Sequence, residues 1–198
     1  MKKLGVFLAL LLPLGIFAQD DLFNQLESPS LNKVELLSER MLFTQRILWG
    51  EHGLMRSTEK FKLSEESRER ELKLRRKMLT AHQIVGYVTL AGMITQGIVG
   101  SKLYNGQSNL KDLHEAVGAI TTASYFTGAS LALFAPPPLV SKKVKGFSSI
   151  KLHKTMAMIH MSAMIATNLL AEQDKKAHRT AAYTLFGSYA VAVISFKF

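Results

Sequence analysis

Six histidines occur in 198 residues, and five lie in apolar surroundings. His82, His114, His153 and His178 each fall near the start of an apolar stretch, and His160 lies two turns further into the third. Imidazole is the side chain best suited to ligate a metal at neutral pH. An ionisable group inside a bilayer is costly and turns towards the interior of a helix bundle. Such a set reads as a ligand cage built between helices.

The elements that must carry these side chains follow from the apolar runs. Residues 79–103, 113–134, 150–171 and 178–196 are each close to the ~20 residues needed to cross a bilayer. Asn105-Gly106-Gln107-Ser108-Asn109 separates the first from the second, Pro136-Pro137-Pro138 ends the second, and 172–176 separates the third from the fourth. Short connectors make consecutive helices antiparallel neighbours. The expected fold is therefore all-α, an integral membrane antiparallel four-helix bundle. The first and third helices start on one side, so His82 shares a level with His153 and His160, and His114 shares one with His178. Two pairs at opposite ends of a bundle suit two six-coordinate haems, each iron held by imidazoles of two helices.

Neighbouring residues fit a bundle interior. The stripe through His82 continues as Gly86, Thr89, Met93, Gln96, Gly97 and Gly100, and the stripe through His114 as Gly118, Thr121, Tyr125 and Ala132. Small and polar residues mark helix contacts in membranes. Gly86 and Gly118 each follow a histidine by one turn on the same face, which leaves room for the edge of a flat macrocycle. His153 and His160 lie ~10.5 Å apart along a helix and ~20° apart in azimuth, so both face inward. Depth favours His160 as the partner of His82; position at the helix start and the small Ala157 one turn on favour His153. The histidine not used becomes a propionate or quinone contact. His52 lies outside the spans and reads as loop, and Met156, Met158, Met161 and Met164 as packing residues.

Composition removes other chemistries. With no cysteine, disulfides, iron-sulfur clusters and covalent haem attachment are excluded. The formal charge is +10, but the basic residues flank apolar stretches without a nucleic-acid motif, so lipid head groups are the expected partner and nucleic acid is not.

Before the spans, Lys2 and Lys3 precede an apolar run ending at Phe17-Ala18-Gln19-Asp20, which reads as a cleaved signal peptide over 1–18. An extramembrane helical region over 19–77 follows, then the haem-binding domain over 78–198. Residues 31–49 have amphipathic helical spacing, with Trp49 placed for an interface or the bundle mouth. Thr58 to Lys77 is densely charged and reads as a solvated helix running into the first span, with no chemistry of its own.

Ala81-His82-Gln83-Ile84-Val85-Gly86, Leu113-His114-Glu115-Ala116-Val117-Gly118, Lys151-Leu152-His153 and Ala177-His178-Arg179 together resemble the four-helix core of the cytochrome b-561 family, including its bacterial and ferric-reductase-like relatives. The resemblance covers about 79–198. It implies two b-type haems carrying electrons across the membrane, His82 with His153 or His160 holding one and His114 with His178 the other. The chain departs from the family in lacking extra flanking helices and in the second histidine of the third helix.

The expected function is that of a membrane b-type cytochrome moving electrons between a quinol or other reductant and a periplasmic or metal acceptor, with the quinone pool or electron-transfer proteins as partners. Any enzymatic role is that of an electron-transfer subunit of a transmembrane oxidoreductase. Lys151, Lys154, Lys176 and Arg179 are placed to meet haem propionates, and Gln83, Gln96 and Asn168 to line a quinone pocket. The leader directs the N-terminal region to the periplasm of a bacterial inner membrane, whereas the lysines at 142, 143, 145 and 151 argue the reverse. Two other classes compete: a histidine-based metal-binding or transport protein, and a docking subunit without a cofactor.

Overall fold

A computed structural model describes residues 36–140, 146 and 148–195. The expected signal peptide, residues 19–35 and the lysines at 142, 143 and 145 lie outside them. The described residues are all-helical, with five α-helices. Helix α1 is Phe43–Trp49, followed by 3-10 turns at Leu54–Ser57 and Glu59–Phe61. Helix α2 is Glu65–Tyr104, α3 is Lys111–Leu133, α4 is Ser149–Leu169 and α5 is Lys175–Ile194.

The helix starts are chemically marked. Ser64 accepts from the Ser67 amide ahead of α2, whose first turn carries Glu65 and Glu66. Ser148 accepts from the Lys151 amide ahead of α4, and Asp174 from those of Lys176 and Ala177 ahead of α5. Side-chain acceptors of this kind satisfy amides that have no partner inside the helix, and acidic groups complement the dipole. Beyond α2, Gly106 takes a φ of 99°, a conformation that glycine adopts without penalty.

Two expectations about the N-terminal region are corrected. The amphipathic helix expected over 31–49 is reduced, within the described residues, to α1. The Gln45 side chain accepts from the Leu42 amide at 3.2 Å and the Ser38 hydroxyl donates to the Arg40 carbonyl. Such local bonds compete with helix and fix its start at Phe43. The charged stretch from Thr58 is not uniformly solvated either. It opens with a 3-10 turn, and Arg68 and Glu71 are 2% and 0% exposed.

Those buried charges belong to a cap. Five consecutive carbonyls at the end of α3 each accept from a side chain supplied far upstream: Leu133 from Thr44, Phe134 from the Trp49 indole, Ala135 from Gln45, Pro136 from Arg75 and Pro137 from Arg68. The last carbonyls of a helix lack intrahelical partners, and prolines bring no amide to help. Donors from α1 and α2 do that work. Glu71 receives both Arg56 and Arg68, so the cap closes around a buried triad.

Helix α2 packs along α3 and α4 along α5, giving two hairpins, with α2 also touching α5. Met93, Tyr125, Ala163, Met164, Leu185 and Tyr189 form the core between them. Bonds cross the seam at Tyr125–His160 (2.7 Å) and from the Tyr189 hydroxyl to the Gly86 carbonyl (3.0 Å). Among the described residues α2 and the segment Ser108–Leu133 are long and apolar enough to cross a membrane, and only 17% of either apolar window is buried. Four such helices are expected and two meet that measure. Helices α4 and α5, of 21 and 20 residues, have the length, but Lys151 and Lys154 in one, and Lys175, Lys176 and Arg179 in the other, lower their hydropathy.

Candidate functional site

The histidines arrive from four helices. His82 lies on α2, His114 on α3, His153 and His160 on α4, and His178 on α5. The rings of His82 and His153 face each other across the two hairpins with centroids 6.3 Å apart and planes at 90°. Those of His114 and His178 do the same at 6.1 Å and 78°. With metal–nitrogen bonds of about 2 Å, two imidazoles on opposite sides of one ion place their ring centroids about 6 Å apart.

Hydrogen bonds orient three of the four rings. The Nδ1 of His82 meets the Gly128 carbonyl at 2.8 Å, that of His153 the Ala192 carbonyl at 3.1 Å and that of His178 the Thr167 carbonyl at 2.8 Å. A carbonyl only accepts, so each of these Nδ1 atoms carries a proton, and in a neutral ring Nε2 would be the atom left to ligate. Ligating histidines are oriented in this way by a partner on the other ring nitrogen. His114 differs: its Nδ1 is buried without a hydrogen-bond partner, while its backbone carbonyl accepts from the Gln96 amide at 2.6 Å. An orphaned ring nitrogen in an apolar bundle is a group whose pairing is incomplete.

His160 is used differently. It is 8% exposed, its Nδ1 is 2.7 Å from the Tyr125 hydroxyl, and the Tyr189 ring lies 5.0 Å away. Of the two histidines of α4, it is His153 that stands against His82. His52 is exposed.

The glycines divide similarly. A Cβ at Gly86 would meet the Tyr189 hydroxyl at 3.5 Å, and one at Gly118 the Gln96 side chain at 3.2 Å. Tyr189 and Gln96 therefore occupy the room expected beside His82 and His114. Gly100 packs tightly against a candidate ligand, since a Cβ there would lie 2.8 Å from Cε1 of His114; a Cβ at Gly128 would lie 3.9 Å from Nδ1 of His82. Replacing Gly100 with Ala is expected to push the His114 ring out of line with His178. If the chain binds haem at this pair, haem content read by pyridine extraction would then fall by about one per chain, and unchanged content would sink this role.

Of the four basic residues near the expected propionates, Lys154 and Lys176 are exposed and the other two turn elsewhere. Lys151 donates to the Gly146 carbonyl at 2.8 Å, and Arg179 stacks over Tyr104 and Tyr183 at 4.4 and 5.4 Å. Gln83 is exposed; Asn168 is bonded to Thr122 and to the Met164 carbonyl.

Sequence reasoning missed Arg56, Arg68, Glu71 and Arg75. Burial holds the Arg68 guanidinium below the usual arginine range, with Glu71 opposing the shift. Arg75 is lowered by burial and then by Arg68. Both stay charged. The signal available was the spacing Arg68, Glu71, Arg75, His82, one continuous stripe of α2. Among the described residues no three His, Asp or Glu side chains converge on one metal position. No family model, curated protein or solved structure matches the chain, so the candidate site stands on its own geometry.

Proposed function

We propose that this chain is a membrane b-type cytochrome carrying electrons through two bis-histidine haems, one on His82 and His153 and one on His114 and His178, as in the cytochrome b-561 family it resembles. The observation that carries this reading is the pair of imidazole–imidazole separations, 6.3 and 6.1 Å, each spanning the two hairpins. Both separations match the one expected of two imidazoles on a shared ion, and the match recurs in both pairs. Three of the four rings are anchored through Nδ1, which supports ligation through Nε2. A six-coordinate bis-histidine haem takes two protein ligands per iron, whereas a structural zinc site draws on four. The haem reading is thus favoured over metal transport.

When bound, haem supplies the one-electron couple. The protein's residues hold it and exclude water. His82, His114, His153 and His178 would hold the iron atoms, and Tyr125, His160 and Tyr189 pack the bundle between the two pairs. The mostly exposed apolar faces of α2 and α3 meet lipid, and α4 and α5 complete an antiparallel four-helix bundle of two further spans. In this reading residues 1–18 are a cleaved signal peptide, and the cap lies in the periplasm of a bacterial inner membrane. Electrons pass between a quinol or other reductant and a periplasmic or metal acceptor.

A reduced-minus-oxidised spectrum of the purified protein, with pyridine extraction, is expected to give about two b-type haems per chain. No haem after expression with adequate haem supply would overturn the proposal.

A further inference from the structure

The cap holds more positive charge than it neutralises. Arg56 and Arg68 share the one carboxylate of Glu71, and the three side chains are 8%, 2% and 0% exposed. Arg75 adds a third, partly buried guanidinium. Its described bond is from Nη1 to the Pro136 carbonyl at 2.7 Å, and the charge acting on it is that of Arg68, which repels it. Three cations face one anion. A buried charge without a counter-ion is strongly unfavourable, and a neutral donor such as glutamine could serve the Pro136 carbonyl equally well. The Nε of Arg68 is buried with no partner, a second sign that an acceptor is missing.

Position says what the acceptor is for. Arg75 precedes His82 by two turns on the same stripe of α2, ~10.5 Å along the axis and ~20° in azimuth. We propose that Arg75, backed by Arg68, is an anion-binding site for the carboxylates of the cofactor held at His82 and His153. This rests on the haem reading above. The propionates are the charged groups of haem, and leaving them unpaired in an apolar bundle would be costly. A guanidinium offers a carboxylate two parallel donors in a rigid fork. Of the other cations near a histidine pair, Lys151 donates to a carbonyl, Arg179 stacks on tyrosine rings, and Lys154 and Lys176 are exposed to solvent.

The test is the rate of haem transfer from the purified full-length protein to an excess of apomyoglobin. Arg75→Gln keeps a donor for Pro136, and Arg75→Lys keeps the charge. A charged hydrogen bond contributes enough that Arg75→Gln is expected to speed loss of one of the two haems about tenfold or more. Arg75→Lys should recover part of that retention, and the second haem should leave at its original rate. With the dimethyl ester of haem, which has no free carboxylate, Arg75→Gln and the unaltered protein should release cofactor equally. Equal rates with natural haem would overturn the site while leaving the cytochrome reading intact. Equal acceleration with natural and esterified haem would reduce Arg75 to a structural role. Unchanged rates with loss of co-purified anionic phospholipid would reassign the site to a lipid headgroup, and absence of haem from the unaltered chain would remove both proposals.

Discussion

Under the proposed cytochrome reading, replacing His82 or His153 with alanine is expected to lower haem content from about two per chain to about one, with the same residual spectrum in either variant. Replacing His114 or His178 removes the other haem, so the two residual spectra together account for the unaltered protein. The reason is geometric. Each ring has one partner ring at about the separation of a shared iron, and a bis-histidine site that loses one imidazole loses much of its hold on the macrocycle. Members of a unit are not additive, so the double replacement of His82 and His153 should be no worse than either alone. His160→Ala separates this from a general effect of removing buried histidines. His160 is bonded to Tyr125 and is not part of either ring-to-ring pair, so its loss should leave both haems in place. A haem lost with His160→Ala and retained with His153→Ala would reverse the assignment on α4.

The second large effect concerns stability. Glu71→Gln is expected to destabilise the protein by about 3–5 kcal/mol, because it leaves two guanidinium groups buried without the carboxylate they share. Thermal unfolding in detergent, followed by circular dichroism, measures it. Glu66→Gln is the control. Glu66 pairs with Arg70 at the surface, where side chains are 76% and 37% exposed, and exposed pairs contribute little. Replacing Arg56, Arg68 and Glu71 together with apolar residues of similar volume should recover most of the loss, since removing a buried ion cluster whole avoids the unpaired charge. If Glu71→Gln unfolds no more easily than Glu66→Gln, the triad contributes nothing to holding the cap.

Much of the long-helix framework was legible because it depends on apolar periodicity and short connectors. Runs expected at 113–134, 150–171 and 178–196 correspond to Lys111–Leu133, Ser149–Leu169 and Lys175–Ile194. Antiparallel order alone put His82 level with α4's histidines and His114 level with His178. Choosing between His153 and His160 was beyond that logic, because seven residues return to nearly the same azimuth. The distinction came from Tyr125, contributed by another helix. The cap was illegible for a different reason. Arginine and glutamate at helical spacing look the same in sequence whether water or Pro137 surrounds them, and the acceptors lie 61 to 90 residues from their donors. The shortening of the amphipathic helix rested on two local side-chain bonds that periodicity does not register.

The cap also bears on the order in which the chain is assembled. Thr44, Gln45, Trp49, Arg68 and Arg75 are synthesised well before the carbonyls of 133–137 that they serve. Until α2 and α3 have both been laid down, this end of the molecule has donors without acceptors. Its closure therefore marks completion of the first hairpin. Because the cap ties α1 and the start of α2 to the end of α3, the path between them must cross the proposed membrane an even number of times, and reversing α3 alone would tear all five bonds at once.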